Sequence, residues 1–160
     1  VLRHTQQGDF AELARLFQDP LVMRYYPALT SRAETQGWLD WVYAAYEQNG
    51  HGLFAVERAS DGAFLGQCGL MPQVVANEIL IEIGYLFKIK HWHRGYATES
   101  AIGCRDHAFS VLRMPKVISL VRPENAPSRA VAARAGMRAA RTTMRRGMPH
   151  LVYSTDTAER

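Results

Sequence analysis

The chain has 160 residues, of which 48% are hydrophobic and 21% charged, values typical of one globular domain and unlike those of disordered or collagen-like chains. No run of about 18 apolar residues occurs, and the first ten residues lack the apolar segment of a signal peptide, so neither a membrane span nor secretion is predicted. The two cysteines, Cys68 and Cys104, are too few for a disulfide framework. We expect a single reduced, cytoplasmic domain over residues 1–160.

The charge is uneven. Nineteen Lys and Arg against fifteen Asp and Glu give a net charge of +4, which favours anionic partners without identifying one. Aromatic residues do not alternate with the C-terminal arginines, so we favour a solvated basic face over a nucleic-acid groove. Those arginines are Arg129, Arg134, Arg138, Arg141, Arg145 and Arg146.

Two helices are predicted in the first third of the chain. Residues 3–9 have the pattern of a strand end that enters a turn. Apolar residues then recur at helical spacing over 8–19, with Asp9 as the predicted N-cap. Ser31 stands three residues before Glu34, the spacing of a capping box, and predicts a second helix over 30–50 that ends at Gly50.

The remaining two thirds alternate between strand and helix patterns. Strands are predicted over 53–58, 64–71 and 78–87, because β-branched and aromatic residues are enriched there and turn residues separate them. A long helix from Gly95 to Leu112, a strand over 117–122, a helix over 127–136 and a strand over 151–155 follow, with room for one further strand. This order of elements predicts an α/β fold with a mixed sheet and helices on both sides of it.

The turn around Gly95 joins a predicted strand to the long helix. Gly95 has no side chain and Ala97 is small, so main-chain N–H groups at the helix N-terminus could contact a phosphate closely. On spacing alone, however, this stretch predicts only a tight turn.

Several stretches in a fixed order are more specific than that turn. They are Arg3 and Asp9, DPLVMRYYP, the Gly84-Tyr85 pair, RGYATES, and Asn125, Ser128 and Gly136. Together they resemble the GNAT superfamily of acetyl-CoA-dependent N-acetyltransferases, in particular its RimJ/RimL (ribosomal-protein-alanine acetyltransferase) branch. The resemblance covers nearly the whole chain. It implies the GNAT fold, with a mixed, mostly antiparallel central sheet that splays at the cofactor cleft and helices on both faces.

The resemblance also implies where acetyl-CoA binds. In the family the pantetheine arm lies between the third meander strand and the strand after the long helix, against main-chain groups near Leu86 and Phe87. Asn125 would lie beside that arm, or serve as a helix cap, or do both. The pyrophosphate would contact mainly the main chain of the turn formed by Trp92, His93, Arg94, Gly95, Tyr96, Ala97 and Thr98.

Amine acetylation needs a base, because an alkylamine with a pKa near 10 is mostly protonated at neutral pH. Glu82 is the candidate base. Strand alternation places it on one face with Leu80, Gly84 and Leu86, and a carboxylate among apolar neighbours has a raised pKa. An ion pair with an arginine on a neighbouring strand is an equally good explanation of Glu82.

The acid that would protonate the departing thiolate is less well marked. Many GNAT enzymes carry a tyrosine seven residues after the motif asparagine, where this chain has Ala132. Ser128 matches a serine used in the RimL-like branch and is the candidate acid, although a CoA thiolate can also leave without one. Tyr153 is a second candidate, with packing in the sheet as the other explanation.

We expect the acceptor to be a protein or peptide N-terminal amine that attacks the thioester directly. A small-molecule amine, such as an antibiotic or a polyamine, is the alternative, and a silent CoA-binding or RNA-associated module is another. Carboxylates are too dispersed to bind a polycation, and His91 and His93 lack a third ligand, so no metal site is predicted. A monomer or a homodimer is expected. Four aromatic residues near the first two helices either line the acceptor pocket or belong to the hydrophobic core: Tyr25, Tyr26, Trp38 and Trp41.

Overall fold

A computed structural model describes residues 1–159 of the chain. Within this range one seven-stranded sheet, in the order β1-β2-β3-β4-β5-β7-β6, carries four α-helices. The strands are β1 (Leu2–His4), β2 (Leu53–Glu57), β3 (Phe64–Val75), β4 (Glu78–Phe87), β5 (Lys116–Val121), β6 (Arg138–Arg145) and β7 (Met148–Asp156). The helices are α1 (Phe10–Gln18), α2 (Arg32–Asn49), α3 (Tyr96–Ser110) and α4 (Ala126–Arg134).

The sheet is mixed, as predicted. Every neighbouring pair of strands is antiparallel except β4 and β5, which run parallel. The further strand anticipated near the C-terminus is β6, which forms a hairpin with β7. Strands β3 and β7 are longer than their predicted ranges of 64–71 and 151–155.

The helix ends follow local rules with one exception. The capping box of α2 is confirmed, since Ser31 accepts a hydrogen bond from the Glu34 N–H and Glu34 accepts one from the Ser31 N–H. The prediction that Asp9 caps α1 is wrong for its side chain. Its carboxylate instead accepts two hydrogen bonds from Arg3, at 2.8 and 2.7 Å, because a bidentate guanidinium pair is stronger than a cap.

Both faces of the sheet are covered. Helices α3 and α4 lie on the face that carries Ile83 and Phe87, and α1 and α2 pack on the opposite face. Cys68 and Cys104 are 0% and 2% exposed, with their sulfur atoms 3.7 Å apart, which confirms that they pack as small buried residues. Their mutual contact and burial raise the pKa of the Cys68 thiol.

In residues 1–159, no helix combines the length and the apolar character needed to cross a membrane.

The backbones of β3 and β4 approach each other closely at Gly66 of β3. A Cβ at this position would lie 2.2 Å from the Leu86 carbonyl oxygen of β4. We therefore expect Gly66→Ala to lower the free energy of unfolding by about 1–3 kcal/mol, because β4 cannot move away without losing its pairing with β3. Urea denaturation would measure the change.

Gly37→Ala is the matched control for that substitution. Gly37 lies within α2, is exposed, and has no atom within 4 Å of its Cβ position. Alanine there should raise the free energy of unfolding by about 0.5–1 kcal/mol, because helical glycine is destabilising. A loss of stability in both variants would contradict the steric argument.

Candidate active site

The cleft begins where β4 and β5 stop pairing. Their one paired position within the described residues is Glu82 opposite Ile118. One residue further along β5, the Ser119 hydroxyl donates a hydrogen bond of 2.8 Å to the Ile83 carbonyl. Beyond that bond no main-chain pairing between the two strands is found in residues 1–159, so a gap opens toward the end of β4.

The backbone of β4 presents alternate residues to this gap. The Ile83 carbonyl faces β5, and main-chain groups two and four residues later, at Tyr85 and Phe87, face the same way. The Leu86 carbonyl lies against Gly66 on β3. The expected main-chain contact at Leu86 therefore needs correction, because the pairing with β3 turns its polar groups away from the gap.

The turn that follows β4 leaves the start of α3 open. Gly95 adopts the left-handed conformation at φ +82° and precedes α3 without a side-chain cap. A Cβ built on it would meet no atom within 4 Å. His93 also has a positive φ, of +58°, and together with Arg94 and Gly95 it is exposed. The flanking residues Trp92, Tyr96, Ala97 and Thr98 are half-buried.

Two side chains shape this turn. The Trp92 indole donates a hydrogen bond of 2.8 Å back to the Phe87 carbonyl, which fixes the chain reversal after β4. His91 is 6% exposed, and neither of its ring nitrogens has a hydrogen-bond partner. Burial lowers the pKa of His91, and the positive charges of Lys90, Arg58, Lys88 and Arg94 lower it further. The turn is thus a region of positive potential.

Residues at the start of α4 lie on the other side of the gap. Asn125 is buried, and its side-chain oxygen accepts a hydrogen bond of 3.2 Å from the Ser128 N–H, which confirms its predicted role as a cap. The bond uses only the oxygen of the amide, and its nitrogen remains available as a donor. The Ser128 carbonyl accepts a hydrogen bond of 2.8 Å from the Tyr85 hydroxyl, which crosses from β4.

Glu82 lies at the base of the cleft with a side chain only 15% exposed. One carboxylate oxygen accepts a hydrogen bond of 3.3 Å from the Leu120 N–H of β5. The other lies 3.8 Å from a guanidinium nitrogen of Arg145. Burial raises the pKa of Glu82, whereas the Arg145 charge opposes that increase. The arginine partner weighed from the sequence is present, but it comes from the β6–β7 hairpin and not from a neighbouring strand.

Two tyrosines join this site that sequence reasoning did not assign to chemistry. Tyr26 as a whole residue is 41% exposed, but burial of its hydroxyl raises the pKa of Tyr26 to about 12. The Glu82 charge raises it further, and a hydrogen bond with Ser128 lowers it. Burial likewise raises the pKa of Tyr85. Both residues lie in stretches on which the family resemblance rests, and that resemblance was the one sequence signal that could have assigned them to the site.

The aromatic residues near the first two helices divide between core and cleft. Trp38 packs edge-on against Phe17, with ring centroids 5.2 Å apart. The Tyr25 hydroxyl donates a hydrogen bond of 3.2 Å to the Glu124 carbonyl across the cleft. The core interpretation is thus correct for Trp38, and the loop between α1 and α2 closes over the site. Tyr153 lies in the core at 7% exposure, in agreement with packing in the sheet.

Comparison with known proteins decides the family. The family profile described as an acetyltransferase (GNAT) domain matches residues 1–138. The chain belongs to the GNAT acetyltransferases. It is an acetyl-CoA-dependent N-acetyltransferase, as the sequence predicted.

Relatives with similar sequences span most of this GNAT chain. The uncharacterized protein YkkB of Bacillus subtilis (strain 168) is 38% identical over 153 residues, which is 95% of this chain and 89% of that protein. The crystal structure of an acetyltransferase from Agrobacterium tumefaciens str. C58 is 29% identical, with a TM-score of 0.81 over 98% of this chain and 90% of that chain.

More distant structures share the fold alone. Mycobacterium smegmatis RimJ in complex with CoA-disulfide is 24% identical, with a TM-score of 0.78 over 99% of this chain and 82% of that chain. A spermidine N-acetyltransferase from Vibrio cholerae, solved with CoA and spermine, is 17% identical, with a TM-score of 0.80 over 99% of this chain and 96% of that chain. The shared fold therefore does not determine the acceptor.

Proposed function

We propose that this enzyme acetylates the α-amine of a protein or peptide N-terminus by direct attack on acetyl-CoA in a ternary complex. The observation that carries the proposal is the buried carboxylate of Glu82 at the point where β4 and β5 separate. A carboxylate in this position is costly to bury. It is useful, however, to an acceptor that must lose a proton.

The residues around the gap fit acetyl-CoA. The uncapped start of α3 at Gly95 and the positive potential of the turn suit a pyrophosphate. Asn125 offers its amide nitrogen to a pantetheine arm, and the unpaired edge of β4 offers the Phe87 N–H to the thioester at the end of that arm. Leu86 would contribute its side chain only. The turn residues in contact with the diphosphate would be Trp92, His93, Arg94, Gly95, Tyr96, Ala97 and Thr98.

In this mechanism each group at the cleft has one task. Acetyl-CoA supplies the acetyl group as a thioester. Glu82 accepts the proton that the attacking amine loses, directly or through a water. The Phe87 N–H donates a hydrogen bond to the carbonyl oxygen of the thioester as negative charge develops there. Ser128, which contacts the Tyr26 hydroxyl, donates a proton toward the sulfur of the leaving group.

Two observations favour an α-amine over a polycationic acceptor. The acidic residues Glu78, at the start of β4, and Glu124, just before α4, are each paired with an arginine, at 3.3 and 3.4 Å, so neither is a free carboxylate for a polycation. An α-amine has a pKa of about 8, against about 10.4 for a lysine side chain, so much more of it is already neutral near pH 7.

Substitution at Gly95 tests the cofactor site. CoA at about 100 times its dissociation constant should raise the melting temperature by about 5–10 °C. Gly95→Leu should abolish this increase, because a side chain there would occupy the space in front of α3. Differential scanning fluorimetry with and without CoA would measure the effect.

Gly62→Leu controls for backbone strain. Gly62 also has a positive φ, of +70°, and an open Cβ position. Both variants should lose similar intrinsic stability, and Gly62→Leu should keep the CoA response. A retained response in Gly95→Leu would place the diphosphate elsewhere.

Replacement of Glu82 tests the base. Glu82→Gln should lower kcat by roughly 100-fold near pH 7, with no change in the CoA-induced melting shift. The deficit should shrink as the pH rises, since more of the amine is already deprotonated. Glu78→Gln, an exposed site on the same face of β4, should leave kcat unchanged. A Glu82→Gln enzyme that is less stable but fully active per folded molecule would make Glu82 a structural residue.

A matched set of amines tests the acceptor class. One peptide would carry a free N-terminus and no lysine, a second an acetylated N-terminus and one lysine, and spermidine would be the third acceptor. At pH about 7 the first should have the highest kcat/KM, by roughly tenfold or more, because of its lower amine pKa. A preference for spermidine would instead make the protein a polyamine acetyltransferase.

A further inference from the structure

The β6–β7 hairpin carries an arginine into the cleft. Strand β6 is exposed along most of its length, but Arg145 at its end is half-buried. The turn that follows, Arg146 and Gly147, has positive φ angles of +50° and +71°, the combination that closes a tight two-residue hairpin. The turn thereby fixes the direction in which Arg145 leaves the strand.

Arg145 links three strands of the sheet. One terminal nitrogen of its guanidinium donates a hydrogen bond of 2.8 Å to the Gln73 side-chain oxygen on β3. The other terminal nitrogen lies 3.8 Å from the Glu82 carboxylate on β4. Gln73 pairs with Leu80 in the β3–β4 register, two residues before Glu82, so its amide lies on the same face as the carboxylate.

We propose that Arg145, held by Gln73, is a positioning residue that keeps Glu82 ionised and aimed at the acceptor amine. The inference rests on the proposed role of Glu82 as the base. The Gln73 bond fixes the guanidinium near the carboxylate without closing a direct hydrogen bond to it. The Gln73 side chain also hydrogen-bonds to Glu82, but each carboxylate oxygen accepts more than one hydrogen bond, so Glu82 can still accept the proton of the amine.

The other groups around Glu82 cannot replace this charge. The Leu120 N–H from β5 holds the second oxygen in place and is a neutral donor. Tyr26, from the loop after α1, and Tyr85, on the opposite face of β4, interact electrostatically with Glu82, but their raised pKa values keep both neutral at physiological pH. Among the described residues, Arg145 is the cation that acts on the Glu82 charge. Its removal leaves only the neutral hydrogen bonds from the Leu120 N–H and the Gln73 side chain to oppose the effect of burial.

The test is the pH dependence of kcat/KM for Arg145→Gln, divided by that of the parent enzyme at each pH. An opposite charge lowers a carboxyl pKa by one unit or more. We therefore expect the ratio to decrease as the pH falls, by up to about tenfold on the acid side, and to return toward one as the pH rises. Arg145→Lys should restore most of the low-pH activity, because it keeps the charge. In both variants CoA should raise the melting temperature by as much as it does in the parent enzyme.

Arg141→Gln is the matched control. Arg141 lies on the same strand and forms an ion pair with the exposed Glu78 at 3.3 Å. It should show no pH-dependent loss. A ratio for Arg145→Gln that is lowered equally at every pH would mean that Arg145 only supports the fold, and a ratio of one throughout would mean that it has no role. Either result would overturn the proposal.

A double variant separates this inference from the proposed function. In a Glu82→Gln background, Arg145→Gln should add no further pH dependence, since the group it acts on is gone. If Glu82→Gln alone has full activity, the proposed base is wrong. If Glu82→Gln is impaired but the Arg145→Gln ratio is flat, only the positioning role fails.

Discussion

Within residues 1–159, strands β4 and β5 meet at a single paired position, Glu82 opposite Ile118, and then separate. A sheet that opens in its middle exposes main-chain groups that need partners. Side chains supply several of them here, since Ser119 donates to the Ile83 carbonyl and Trp92 to the Phe87 carbonyl. The separation is thus stable because polar side chains satisfy part of each edge, and the remaining donors can serve a ligand.

The same constraint explains why functional groups from distant parts of the chain meet. The gap is bordered by the α1–α2 loop, the β4–α3 turn, the start of α4 and the β6–β7 hairpin. Tyr85 reaches the Ser128 carbonyl and Tyr25 reaches the Glu124 carbonyl, so two hydrogen bonds span the cleft. Segments about 100 residues apart in sequence are therefore fixed relative to one another, as preorganised catalysis requires.

Local chemistry made much of this fold predictable. The capping box at Ser31, the glycine that ends α2 and the strand periodicity of β4 are interactions within a few residues, and each predicted its element. The cap at Asn125 is local as well. Asp9 is the instructive exception, because a stronger partner, Arg3, lies on another element and takes its carboxylate.

The electrostatics of the site depended on contacts that no local pattern encodes. Arg145 belongs to a run of arginines that we interpreted as a solvated face, yet its hairpin folds over β3 and β4 and places it beside Glu82. Composition measures the charge of a segment but not which surface the segment covers. The position of the Tyr26 hydroxyl likewise depends on how the α1–α2 loop crosses the cleft.

Burial of both cysteine thiols determines how this enzyme responds to thiol reagents. Cys68 and Cys104 are the only cysteines in the sequence, and both are almost completely buried where α3, which contains Cys104, packs on β3. A thiolate reacts with electrophiles far faster than a thiol, and burial keeps Cys68 in its unreactive form. A disulfide reagent added during turnover will therefore react with the thiol of the released CoA and hardly at all with the protein. Acetyl transfer by the native chain can thus be measured continuously without replacement of either cysteine.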